Sequence, residues 1–394
     1  MTALDRLDAG LLGLADPCGG WDGGNEYRGL LRALPGVLGW RRREARFLGQ
    51  ANASHSAFIG DRIAVLGGRT LHARLCGMPP RVRSRVKLAP EVFRVVFLAG
   101  EEESGHGIRD PLERFCAVEE RIHGDAAVEV PADEDGWSAL GDVRIGGPGG
   151  AGRSALPAPC RQVGALTLAP VVRAMVIDGY SPHHATLYRY PRLPVQSHRP
   201  AEFRAGVARL SSALEFIASV SEPACAMVDA CLRVVALVRM PKHPEMTMSG
   251  SHPELCGLAG LTNLHSSRWT AVRVANALVH EAIHALVAKI ELAEGLFSSY
   301  REAQDITAVS PWSGRRLPLR TYVHGCLVWF GLWQFWRRAG AHGAGVAELA
   351  EKSRSGFAGG SCLRSIPPEG MAVLEPDAAD VLREMVGAAD RLSG

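Results

Sequence analysis

The chain has 394 residues, enough for two or three domains with sizeable cores. Its 47% hydrophobic and 22% charged content is that of an ordinary soluble protein and excludes a disordered or fibrous chain. Lys plus Arg outnumber Asp plus Glu by only 44 to 41, so charge gives no case for nucleic acid or an anionic membrane as partner.

The nine cysteines are odd in number and scattered, with no C-x-x-C. That pattern points to reduced thiols rather than a disulfide scaffold or a thiolate zinc site. Asp5 and Asp8 stand where a signal peptide needs basic residues. The most apolar run, Gly325 to Trp336, is too short to span a bilayer. The expectation is a cytoplasmic protein.

In chain order, residues 1 to 60 read as mainly helical, interrupted by Gly19, Gly20, Gly23 and Gly24. Asp61 to Leu66 and Arg69 to Leu75 flank Gly67-Gly68, a hairpin signal. Val92 to Leu98 reads as a further strand. Asp110 to His123 reads as a helix with Asp110 as N-cap and Pro111 at the first position. Gly146 to Pro159, rich in Gly, Ala and Pro, reads as a linker. Its glycines lack the strand-then-helix context and the Gly-Lys-Ser/Thr of a phosphate loop. His183-His184 follow Pro182 in a turn, where adjacent side chains diverge and chelate poorly.

Val172 to Asp178 reads as a strand or a short helix. Pro200 to Asp229 has helical period, with Phe203, Val207, Leu210, Leu214 and Ile217 on one face. Cys231 to Val238 is β-branched and reads as a strand. Leu255 to Leu261 reads as another, beside the helix that follows, and its glycines suggest pairing with an extended peptide.

That next helix carries Val279-His280-Glu281-Ala282-Ile283-His284-Ala285, a His-Glu-x-x-His motif. Residues i and i+4 lie one above the other on a helix, so His280 and His284 can hold one metal ion, with Glu281 within reach of a metal-bound group. From Ala277 to Ala288 every other residue is apolar. Unpartnered polar groups there would be costly, and a metal relieves that cost. Ser266 or Ser267 is the expected N-cap and Gly295 the expected stop.

A catalytic metal needs a third protein ligand. Metzincins would have Gly and His where this chain has Val287 and Ile290, so that family is excluded. Glu291 lies about 10 Å beyond His284 along the helix, better placed behind a ligand than as one. A loop from Ser310 leads to a helix expected from Leu319 to Arg338, ending at Gly340, whose aromatic stripe reads as core. His324 on that helix is the candidate third ligand. Arg320, one turn before it, and Arg315 are candidates to hold the carboxylate of an organic co-substrate. A salt bridge from Arg320 to Glu291, Glu294 or Asp305 is the alternative. Helices near Gly345 to Lys352 and Asp377 to Leu392 complete the chain.

Three stretches together carry a resemblance: Ala277 to His284, Ser310-Pro311-Trp312-Ser313-Gly314-Arg315, and Tyr322-Val323-His324-Gly325-Cys326-Leu327-Val328-Trp329-Phe330. Over about residues 240 to 340 the chain resembles the HExxH-containing peptide-modification proteins encoded with ribosomally made, post-translationally modified peptides. The resemblance implies a non-haem Fe(II) site and 2-oxoglutarate-dependent β-hydroxylation of a precursor peptide. It carries over to His280, Glu281, His284 and His324; the assignment of Arg320 and Arg315 to 2-oxoglutarate comes from spacing. The runner-up is a zincin-type zinc peptidase with Glu281 as general base. A third reading is a metal-free peptide escort.

The expected fold is α+β and helix-rich, with a zincin-like metal helix beside a small sheet. Residues 1–155 are expected to form a mixed α/β region, a candidate substrate-binding part, and residues 156–394 a helix-rich metal-binding catalytic domain.

Overall fold

The structure is a computed structural model and describes residues 29–40, 44–98, 106–123, 136–145, 160–163, 166–181, 198–252, 254–340 and 345–391. The expected linker at 146–159, the His183-His184 pair and the division at residue 155 lie outside these.

The elements run α1 (Leu30–Leu38), α2 (Glu44–Leu66), α3 (Gly68–Gly77), α4 (Pro80–Lys87), α5 (Pro90–Leu98) and α6 (His106–Ile122). Short strands follow: β1 (Gly136–Trp137), β2 (Val143–Ile145), β3 (Arg161–Val163), β4 (Leu166–Leu168), β5 (Val171–Val172) and β6 (Met175–Asp178). Then come α7 (Pro200–Val220), α8 (Glu222–Cys231), β7 (Val234–Val238), β8 (Ser249–Gly250), β9 (Leu258–Thr262) and the motif helix α9 (Ala271–Glu294). The chain closes with α10 (Tyr300–Asp305), β10 (Thr307–Val309), β11 (Arg316–Pro318), α11 (Leu319–Ala339), α12 (Val346–Ser355), α13 (Ser361–Arg364), α14 (Pro368–Val373) and α15 (Pro376–Arg391). This is a helix-rich α+β protein with a small mixed sheet.

Three of the expected strands, both arms of the hairpin and Val92 to Leu98, are helices. The stretch across Gly67-Gly68 forms α2 and α3 because its buried residues, Ile59, Ile63, Leu71 and Leu75, recur every four positions. Val92 to Leu98 lies in α5, where Ala89, Val92, Phe93 and Val96 bury one helical face and override β propensity. Helix α6 starts at His106, ahead of the expected N-cap, and keeps Pro111 inside.

The chain forms two compact units, each drawing on several stretches. The first holds the described residues within 55–214 and 229–274. Its main sheet has the order β5-β6-β7-β9-β8, with β6, β7 and β9 parallel and the outer strands antiparallel. Every residue of the three parallel strands is buried, as expected for strands covered on both faces. Phe203 of α7 lies so close to Gly179 that a Cβ there would meet its ring at 2.4 Å. A smaller sheet, β1-β2-β4-β3, is antiparallel. Beside it, Arg85 of α4 is wholly buried between Glu119 at 2.9 Å and Asp142 at 2.8 Å.

Strand β9 lies where the Leu255–Leu261 run was expected, as an inner strand of the sheet. It pairs with β7 along its whole length and with β8 at Leu261 and Gly260. Gly257 adopts φ 89° in the turn before it, and a Cβ there would press on the Cys231 carbonyl at 3.2 Å. That glycine serves the turn.

The second unit holds the described residues within 22–54, 215–228 and 275–394. It is built on the antiparallel-stacked bulk of α9 and α11. Gly295, at φ 71°, donates to the Glu291 carbonyl and stops α9 as expected. The start of α9 differs from expectation: Thr270 Oγ1, not Ser266 or Ser267, accepts the Arg273 N–H. Glu294 at the far end accepts the first two N–H groups of α1, at 2.5 and 2.9 Å. Lys289 is buried and donates to Asn52 Oδ1 at 2.6 Å. Helix α9 is long and apolar enough to cross a membrane, but it is mostly buried in protein, as core helices are.

Gly331 sets how closely α11 approaches α9. A Cβ there would meet Ile283 Cδ1 at 2.6 Å and Leu38 Cδ2 at 3.1 Å. Gly331→Ala is therefore expected to cost about 1–3 kcal/mol by overpacking, offset in small part by the better helix propensity of Ala. A lowered denaturation midpoint in urea checks it; an unchanged midpoint would mean that Ile283 swings aside freely.

Candidate metal centre

The site lies wholly within the second unit. Helix α9 carries His280, Glu281 and His284; α11 carries Arg320, His324 and Trp329. Between α10 and α11 the chain makes the ribbon β10–β11, with Thr307 opposite Pro318 and Val309 opposite Arg316. The Trp312-Ser313-Gly314-Arg315 stretch is the tip of that hairpin. Gly314 takes φ 68° there and donates to the Ser310 carbonyl at 2.8 Å.

The His280 and His284 rings meet edge to face, with centroids 4.8 Å apart and 63° between their planes. Two imidazoles sharing one ion at a metal–nitrogen distance of about 2.1 Å stand at about this spacing. Both residues are half-buried. The protein around them removes enough water to push His280 down to about 4. Burial, helped by the neighbouring His280, pushes His284 to about 3. Both are neutral at pH 7, the form that binds metal. Glu281 is turned inward at 2% exposure.

His324 comes from α11 and its ring lies nearly parallel to that of His284, at 6.1 Å and 22°. This is wider than the motif pair. Its Nε2 is 3.1 Å from Glu291 Oε2. Arg320 grips the same carboxylate with a fork, Nε to Oε1 at 3.0 Å and Nη2 to Oε2 at 2.8 Å. Burial alone would raise the Glu291 carboxyl; hydrogen bonds from His324 and Arg320 outweigh it and hold it at about 2. Glu291 is thus a buried anion between two partners. The salt bridge foreseen as the alternative for Arg320 is the arrangement present.

Trp312 at the hairpin tip stacks on Trp329, at 5.6 Å and 10°. Trp329 in turn stands edge-on to His280, at 6.4 Å and 85°. Gly356 passes directly under Trp312, where a Cβ would collide at 2.1 Å, and the Ser353 carbonyl accepts the indole N–H at 2.9 Å. Lys352 lies over Trp329 at 5.8 Å. The stacked pair forms a half-buried aromatic shelf beside the motif histidines. Sequence reasoning missed it by reading Trp329 as core and Trp312 as loop; the stretches flanking these residues were the only pointer. Arg315 is exposed on the same hairpin tip, away from a fork of its own.

Donor type, charge state and spacing of His280 and His284 all suit a transition metal. His324 is third by position. Among the described residues no group of three or more His, Cys, Asp or Glu side chains is placed to hold a metal ion as the protein stands. No family model matches the chain, and no curated protein matches it.

Proposed function

We propose that the chain is an Fe(II)- and 2-oxoglutarate-dependent dioxygenase that hydroxylates a side chain, at the β-carbon, of a ribosomally made precursor peptide. The observation that supports a metal centre most is the row His324–Glu291–Arg320. Metal-bound histidines commonly give their second ring nitrogen to a carboxylate, which fixes ring and tautomer. Glu291 accepts the Nε2–H of His324 and leaves the lone pair of its Nδ1 free to bind metal.

In this reading His280, His284 and His324 hold iron, which supplies the oxidising power for C–H hydroxylation when oxygen and 2-oxoglutarate are present. Glu291 and Arg320 orient His324. Since the Arg320 fork is spent on Glu291, the far carboxylate of 2-oxoglutarate falls to Arg315, the other arginine proposed from the sequence. The Trp312–Trp329 shelf gives the peptide an apolar, water-excluding surface next to His280. Exclusion of water protects a reactive centre from side reactions.

A zincin-type zinc peptidase would use Glu281 as general base on a metal-bound water. Glu281 is nearly closed off while both histidines are only half-buried, a poor setting for a base that must meet incoming water. That burial supports the oxygenase.

The test is turnover. Protein purified without chelator and loaded anaerobically with Fe(II) is expected to convert 2-oxoglutarate to succinate. A peptide encoded beside its gene is expected to gain the mass of one oxygen. Cleavage of the peptide by zinc-loaded protein, with no succinate formed, would hand the site to the peptidase.

A further inference from the structure

The first unit contains a second cluster of polar side chains, built from residues unrelated to the HExxH helix. Strands β6, β7 and β9 run parallel, and their C-terminal ends are followed by Tyr180, Arg239 and His265 respectively. In parallel sheets this is the side where ligands bind. The N-terminus of α7, a helix of 21 residues, brings His198 and Glu202 to the same place. His198 and His265 meet edge-on with centroids 5.6 Å apart, and Phe203 packs against both His198 and Tyr180, at 6.1 and 4.9 Å.

His198 is 3% exposed, yet among the described residues neither ring nitrogen finds a partner in hydrogen-bond geometry. The Leu237 backbone is close enough to act on His198 as a hydrogen-bond partner, though outside ideal geometry. His265 Nδ1 and the Tyr180 hydroxyl are buried in the same condition. Buried imidazole nitrogens without a well-formed partner, on two rings in contact, are costly in a folded protein. The surrounding charge is positive on balance. Glu202 is paired with Arg239 at 2.9 Å, and Arg209, anchored on the Leu264 carbonyl at 3.0 Å, adds a second cation. Burial disfavours a charged His265; Glu202 opposes this, and Arg239 and Arg209 add to it, while Arg204 favours the anionic form of Tyr180.

We propose that this cluster binds a small oxyanion, a phosphate or carboxylate group. An oxyanion accepts hydrogen bonds from N–H groups of both imidazoles. It also balances the arginines and lies at the positive end of α7. A water molecule would satisfy some of these atoms but not the charge.

Isothermal titration of the full chain with inorganic phosphate, and separately with succinate, tests this. Saturable binding of one anion per chain is expected, weakened about tenfold or more by His198→Gln and by Arg239→Gln, the loss of one hydrogen bond to a charged group. The half-exposed His265→Gln, checked for native circular dichroism, is expected to do the same if His198→Gln fails to fold. Binding by phosphate alone or by succinate alone identifies the group carried by the ligand. Retention of binding in His280→Ala separates this site from the HExxH helix. The absence of saturable binding by either anion would overturn the proposal, as would binding indifferent to both histidine variants.

Discussion

Alanine at His280 or at His284 is expected to strip the metal from the protein and bring turnover to background while the fold survives. Each substitution leaves one imidazole where two met at 4.8 Å. The loss in metal affinity should exceed the about 10- to 100-fold that follows removal of an orienting partner. Stability should change less than for a fully buried side chain, because both residues are half-buried and each meets α11 through a ring contact, His280 with Trp329 and His284 with His324. Metal analysis of the purified variants, with near-UV circular dichroism as the check on folding, reads both quantities. His324→Ala should fall with them. If it keeps its metal while Glu291→Gln loses it, the carboxylate is the third ligand and His324 its support.

Much of this site was legible because helices announce themselves locally. The four-residue spacing of His280 and His284, the apolar run around them and the Gly295 stop are all properties of one stretch. The same holds for α11, whose expected bounds differ from those found by one residue. What escaped is pairwise and distant. Arg320 had three acids within plausible reach, and only packing chose Glu291, 29 positions away. The ribbon β10–β11 was hidden because three-residue strands hold no period to read. Without the ribbon, nothing in the sequence brought Trp312 onto Trp329.

The same logic explains the errors in the first unit. The Gly67-Gly68 pair is a turn signal in either setting, and it joins two helices here instead of two strands. Val92 to Leu98 has residues suited to strands, but its neighbours bury it on a helical face. Burial of β6, β7 and β9 on both faces erases the alternation that would have ordered the sheet.

The second large effect is expected at Arg320, where two roles predict opposite results. If its fork serves only to hold Glu291, Arg320→Ala weakens metal binding about 10- to 100-fold, because Glu291 turns or takes up a proton and His324 loses its orientation. The affinity for 2-oxoglutarate, measured on fully iron-loaded protein, then changes little. If Arg320 instead anchors 2-oxoglutarate, metal binding is unchanged and the co-substrate affinity falls. The bidentate contacts at 3.0 and 2.8 Å favour the first outcome. Arg320→Lys keeps the charge without the fork and should lie between wild type and alanine. Arg315→Ala provides the contrast: intact metal, with 2-oxoglutarate binding weakened about tenfold or more by the loss of one charge-assisted hydrogen bond. Acid should mimic Arg320→Ala. Glu291 is held near 2, below its ordinary value, so its contribution is complete above the usual carboxylate range and is lost as pH falls through the folded value. Glu291→Gln removes that dependence, and a metal-free Glu291→Gln protein that still lost the same stability between those limits would place the acid sensitivity elsewhere.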